Sequence, residues 1–137
     1  MPIITWSSNL SVNVAEMDRQ HRKLIDMINE LFDAMSSGKG KDTIGKILDG
    51  LTEYTKTHFA SEERMMQLHN YPELSTQQSE HIKLTKQVTD LHERFKSASG
   101  SLSITLETMN FLKDWLQNHI LQNDKKYGPY LNCRGVN

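Results

Sequence analysis

Apolar positions recur along this chain at the spacing of helix faces, and they fall into four long stripes. The first is Met17, Leu24, Ile25, Ile28, Leu31, Phe32 and Met35, which predicts a helix over about 17–36. Ser36, Ser37, Gly38 and Gly40 stop it, and Asp42 is the expected N-cap of the next helix, about 42–68. That second stripe reads Ile44, Ile47, Leu48, Leu51, Thr55, His58, Glu62 and Met65, and it breaks at Tyr71-Pro72 because a residue before proline avoids helical geometry. The third, about 73–97, carries Gln77, His81, Leu84, Val88, Leu91 and Phe95. A turn around Gly100 leads to the fourth, about 101–122, with Leu102, Leu106, Met109, Leu112, Trp115, Leu116 and His119 on one side. Residues 1–16, with turn residues at Ser7, Ser8 and Asn9 and then alternating Leu10, Val12 and Val14, form an arm. Gly128-Pro129 is expected to end regular structure, leaving 128–137 as a loose tail. Four helices joined by short loops predict an all-α, up-down-up-down antiparallel four-helix bundle in a single domain over 1–137.

Polar residues interrupt these stripes in a regular way. His21 sits in the first, His58 and Glu62 in the second, His81 in the third and His119 in the fourth. One histidine on an apolar face is ordinarily a satisfied core residue. Here the positions run early, late, early, late along successive helices, so antiparallel packing brings all of them to one level of the bundle. His58 and Glu62, four residues apart, share a helix side. A buried carboxylate is costly unless paired or bound to metal. Imidazole with carboxylate suits iron or zinc rather than calcium or magnesium. Four histidines exceed what one tetrahedral zinc needs, and two ions bridged by Glu62 and Asp124 use the set better. Asp124 is the difficult member. Five residues beyond His119, it is turned about 140° away on an ideal helix, so it needs a distorted last turn or a place below a neighbouring ion.

Composition narrows the chemistry further. The 137 residues carry 16 Lys plus Arg against 17 Asp plus Glu, a formal charge of -1, with no basic run to suit nucleic acid or an anionic membrane. Nothing approaches the roughly 20 apolar residues of a membrane span, and no targeting segment precedes Trp6, so the chain is expected to be soluble, cytoplasmic and monomeric. Cys133 is the only cysteine, which excludes an internal disulfide and a thiolate metal site. Any metal must rest on His, Asp and Glu.

With these residues in view, the chain resembles the hemerythrin family, and within it the single-domain bacterial oxygen-binding members. The matching stretches are Trp6 with Leu10-Ser11-Val12, Met17 through Leu24, His58-Phe59-Ala60-Ser61-Glu62-Glu63, Tyr71-Pro72, Asp114 through Ile120, and Asp124 through Pro129. They cover nearly the whole chain. The resemblance implies a non-haem pair of iron ions, oxo- or hydroxo-bridged, with Glu62 and Asp124 as bridging carboxylates. One iron takes His21 and His58 and keeps an open position for dioxygen; the other takes His81, His119 and, in the family, a third histidine at position 77. Here that position is Gln77. Gln77 either gives weak or water-mediated ligation or simply tops an apolar stripe.

Leu24, Phe59, Leu116 and Ile120 flank the ligands at helical spacing and are expected to wall an oxygen pocket, although ordinary core packing explains each equally well. Trp115 and Tyr127 should pack near the centre, with Tyr127 able to hydrogen-bond. His69 and His92 are expected at the surface. The implied function is reversible dioxygen binding for storage, delivery or sensing, with no catalytic residue. Two alternatives remain at this point: a di-iron enzyme acting on peroxide or nitric oxide through a more open iron beside Gln77, and an iron-reserve or regulatory module.

Overall fold

The computed structural model describes residues 3–39, 41–97 and 106–137. Among them are α1 (Ala15–Ser36), α2 (Lys41–Leu68), α3 (Leu74–Ser97), α4 (Leu106–His119) and α5 (Lys125–Asn132), and there is no strand. A single wide π turn, Ile120–Asp124, joins α4 to α5. The expected turn around Gly100, with Leu102, lies outside the described residues. No described helix is long and apolar enough to cross a membrane.

The stripes become the core of a four-helix bundle. On α1 the buried side chains are Met17, Gln20, His21, Leu24, Ile25, Ile28, Leu31 and Ala34, the three- and four-residue steps of one face. Ile44, Leu48, Leu51, Thr55 and Phe59 from α2, Leu84, Val88, Leu91 and Phe95 from α3, and Met109, Leu112, Trp115 and Leu116 from α4 fill the same interior. Each fully buried Leu or Ile removes enough apolar surface from water to contribute about 1.5–3 kcal/mol. The buried hydroxyls of Thr52 and Thr55 donate to the carbonyls of Leu48 and Leu51, so neither is left unpaired.

Helix ends follow from local chemistry. Gly38 adopts a left-handed φ of +69°, and Lys39 N and Gly38 N donate to Ala34 O and Met35 O, closing α1 with a paired cap. α2 ends by the same device two residues before the proline: Asn70 takes φ +54°, while Tyr71 N and Asn70 N donate to Met66 O and Gln67 O. Asp42 is inside the first turn of α2, not its N-cap.

The C-terminal segment differs from the expected loose tail. α5 runs through Gly128-Pro129 to Asn132, and a further left-handed residue, Gly135, closes the chain end with Val136 N donating to Leu131 O. Glycine before proline removes the Cβ that otherwise clashes with the ring, which permits helix there. Tyr127 and Leu131 are fully buried, anchoring the segment.

The N-terminal arm is clasped from two sides. Asn29 accepts from Ile3 N and Ile4 N and donates to Ile4 O, and Asp18 accepts from Ser11 Oγ and Val12 N at 2.6 and 2.8 Å. Lys125 Nζ and Asn132 Nδ2 donate to the carbonyls of Asn9 and Asn13, tying the arm to α5. Gly128 is where the two touch most closely: a Cβ there would stand 2.3 Å from Val12 O. Gly128→Ala must push arm and α5 apart, so we expect a loss of about 1–3 kcal/mol in urea unfolding. Gly45→Ala, whose Cβ would meet Phe95 at an ordinary 3.7 Å, serves as the control that loses none.

Candidate metal centre

Antiparallel packing carries six donors to one depth of the bundle. His21 lies near the start of α1, His58 and Glu62 near the end of α2, His81 near the start of α3, and His119 is the last residue of α4. All are at most 4% exposed.

Asp124 joins them through the π turn. In a regular helix a residue five positions past His119 faces away, but the i→i+5 geometry of a π turn lengthens the loop of chain by one residue and returns position 124 to the side of 119. Asp124 Oδ1 then stands 3.2 Å from His119 Nε2, and Oδ2 stands 3.0 Å from His21 Nε2. Its carboxylate thus spans two helices. Glu62 does the same: Oε2 is 3.3 Å from His21 Nε2, and Oε1 is 3.3 Å from both His58 Nε2 and His81 Nε2.

Two quartets result, His21–His58–Glu62–Asp124 and Glu62–His81–His119–Asp124, each with its ligand atoms within 4.8 Å of one another. Both carboxylates belong to both quartets. The donor set fits a pair of cations on a direct observation. His21 Nε2, His58 Nε2, His81 Nε2, His119 Nε2, Glu62 Oε1 and Asp124 Oδ2 are buried without a hydrogen-bond partner. Orphaned buried polar atoms are rare and each costs about 1–3 kcal/mol; a cation in each quartet satisfies all six. Two imidazoles with two carboxylates suit iron or zinc.

Protonation in the metal-free cage follows from the same geometry. Burial disfavours charge on His21, but Asp124 and Glu62 outweigh it and raise its pKa from 6.5 to about 10. Burial likewise opposes charge on His119, and Asp124 again prevails, raising it. Glu62 is lowered well below its ordinary value: burial works against its ionised form, and His58, His21 and His81 overcome it.

An outer layer orients the ligands. Gln20 Oε1 accepts from His58 Nδ1 at 2.7 Å, and Glu63 Oε2 accepts from His81 Nδ1 at 2.8 Å, which leaves each Nε2 free to face the cage. Gln20 is itself held by Glu16 and Ser61, and Arg19 and Gln20 lower the Glu16 carboxyl to about 2. Asn123 lies 3.2 Å from His119 Nδ1. Tyr127 Oη donates to Glu62 Oε2 at 2.5 Å from a fully buried site, and burial with the nearby Glu62 and Asp124 charges raises the phenol well above its ordinary pKa.

Gln20, Glu63 and Asn123 are missing from the sequence reading. Each is adjacent to a ligand or four residues from one, which is the only signal the chain offers for them.

The remaining residues singled out in the sequence divide. Gln77 is inside, 3% exposed, with Nε2 donating to Asp124 Oδ1 at a long 3.5 Å and Oε1 without a partner. Leu24, Phe59, Leu116 and Ile120 are buried. Phe59 stacks face to face on His81, ring centres 4.0 Å apart, and meets His119 edge-on at 5.5 Å. His69 and His92 are half-buried, not at the surface as expected, and His92 pairs with Asp49. The carboxylate on α2 draws the His92 ring against the bundle.

The chain is also similar to known proteins. The sequence profile of the Hemerythrin HHE cation binding domain matches residues 12–131. The chain is 38% identical to the bacteriohemerythrin of Methylococcus capsulatus, covering 97% of this chain and 100% of that one, and 30% identical to that of Pseudomonas aeruginosa, covering 93% and 80%. Among solved structures it is similar to wild-type hemerythrin, with 38% identity, 93% and 96% coverage and a TM-score of 0.85. A variant of hemerythrin with one leucine changed to alanine gives 37% identity, 94% and 97% coverage and a TM-score of 0.87.

Two outcomes are expected. Charged His21 stabilises the metal-free fold fully below pH 6.5, and this contribution is lost as pH rises through about 10. Metal needs the neutral ring, so apparent affinity for ferrous ion should climb with pH over that window and loading should release protons; a flat titration would contradict this. Second, Gln20→Leu frees the His58 ring and should weaken metal binding about 10–100-fold, read by anaerobic titration calorimetry.

Proposed function

This chain belongs to the hemerythrin family, and from that premise we propose that it binds dioxygen reversibly at a carboxylate-bridged di-iron centre, for oxygen storage, delivery or sensing. The observation that carries the reading is the sharing of Glu62 and Asp124 between two histidine pairs in an interior that leaves Glu62 Oε1, Asp124 Oδ2 and all four Nε2 atoms without a hydrogen-bond partner. His21 and His58 would hold one iron and His81 and His119 the other, with Glu62 and Asp124 available to both. When bound, a ferrous pair supplies a free coordination position and the electrons that reversible capture of dioxygen requires.

The chain's own residues do the rest. The His21–His58 half has four protein donors, which leaves room for a diatomic ligand. Leu24, Leu116 and Ile120, each within three residues of a histidine ligand along the chain, are buried, and apolar walls of this kind would exclude water and shield a bound gas from proton leakage. Tyr127 keeps its proton and donates a hydrogen bond to Glu62 Oε2, which fixes the orientation of that carboxylate in the cage. Glu63 and Gln20 set the ring orientations of His81 and His58.

The role is binding, not turnover. The relatives, bacteriohemerythrins and hemerythrin, favour it over the peroxide- or nitric-oxide-processing and iron-reserve readings.

Reduced, iron-loaded protein exposed to air should develop a visible charge-transfer band that disappears under vacuum and returns on re-aeration. Metal analysis should give two irons per chain. Bleaching that does not reverse, or a zinc-filled protein with no band, would remove the proposal.

A further inference from the structure

We infer that Gln77 is itself a metal ligand, binding through its amide oxygen in the half of the centre held by His81 and His119. The inference rests on the proposed pair of ions and deepens it.

Three observations converge on this residue. Gln77 is 3% exposed, in a position where an uncharged amide has no reason to be unless its polar atoms are used. Its nitrogen points at Asp124 Oδ1, the oxygen that also faces His119. Its oxygen has no partner at all. A buried acceptor left bare costs about 1–3 kcal/mol, and neither Asp124 nor Glu62, both acceptors when ionised, can satisfy it.

Orientation is not free. Turning the amide over would press Oε1 against the Asp124 carboxylate, so Asp124 holds the nitrogen and leaves the oxygen for the cation. Gln77 and His81 are four residues apart on α3 and so lie on one side of that helix, which lets both reach a single ion. The amide has two tasks: its N–H steadies the bridging aspartate, and its oxygen completes the coordination of the ion beside it.

The two halves are therefore chemically unequal. His21–His58 offers two nitrogens and two shared carboxylates; His81–His119 offers these plus a neutral oxygen. Oxygen donors favour harder ions such as manganese(II), whereas imidazole favours iron and zinc. The Gln77 half holds its ion less tightly than a third imidazole would, and it discriminates less against manganese.

The experiment is anaerobic calorimetric titration of the whole chain with Fe(II) alone and Mn(II) alone, in the wild type and in Gln77→Leu, Gln77→Glu and Gln77→His, with helicity checked by circular dichroism. Gln77→Leu should keep the first ion and lose on the order of tenfold or more in affinity for the second. Gln77→Glu puts a charged oxygen at the ligating atom and gives up the N–H to Asp124, a loss that both ions feel alike, so the preference of the second half for Mn(II) over Fe(II) should rise. Gln77→His should raise Fe(II) affinity and lower the preference for Mn(II) over Fe(II). Were Gln77 only a donor to Asp124, Gln77→Glu would weaken both ions alike and leave the preference between Mn(II) and Fe(II) unchanged, which overturns the assignment. Unchanged second-ion affinity in a folded Gln77→Leu overturns it too. If Gln77→Leu does not fold, the Glu and His variants still decide. A wild type that takes up no metal overturns the di-iron reading itself.

Discussion

Two carboxylates kept in a dry interior, each facing imidazoles from different helices, are the constraint on which this structure depends. An ionised carboxylate removed from water is tolerable only beside positive charge. Glu62 and Asp124 are completely buried, and the charge they require comes either from protons on His21 and His119 or from metal ions. The same arrangement is thus a proton store when metal is absent and a ligand set when it is present. Competition between protons and cations is built into the bundle, because α1 to α4 and the π turn all contribute to the cage.

That requirement explains the division of labour in the core. Toward one end the interior is aliphatic and aromatic, with Leu31, Ile44, Leu48 and Phe95 in close packing. At the depth of the cage it becomes polar on all sides, and a second layer is needed to hold the first. Gln20, Glu63 and Tyr127 supply it from three different helices, each fixing one ligand by a bond at 2.5–2.8 Å. Ligands on rigid helices, locked by such partners, hold their geometry better than ligands on loops.

Much of this was legible in the amino-acid order, for identifiable reasons. The four-helix bundle followed from the 3.6-residue recurrence of apolar positions, and the early, late, early, late placement of His21, His58, His81 and His119 pointed to one level before any coordinates. Helical periodicity is a local rule, and those residues obey it. Asp124 breaks the rule, so its place could be named only as requiring a distortion. The outer layer was hidden because Gln20, Glu63 and Asn123 are ordinary surface-type residues whose partners lie on other helices or, for Asn123, across the π turn. The C-terminal tail was misread because glycine and proline together look like an ending. Without a Cβ on Gly128 the pair is compatible with helix, and buried Tyr127 and Leu131 hold it there.

The π turn reaches beyond the one aspartate it delivers. Leu112, Trp115, Leu116 and His119 form one inward row, and Asp124, Tyr127, Gly128 and Leu131 form another with the same three- and four-residue steps, but the rows are separated by five. The extra residue acts as a phase shift of roughly 100° in everything downstream. The carboxylate, the phenol that steadies Glu62 and the glycine that seats the N-terminal arm all inherit their facing from it. Winding these same residues into regular α-helix would therefore turn ligand, orienter and clasp away from the interior in a single step, which makes the backbone geometry of this short span as restrictive as the identity of any donor.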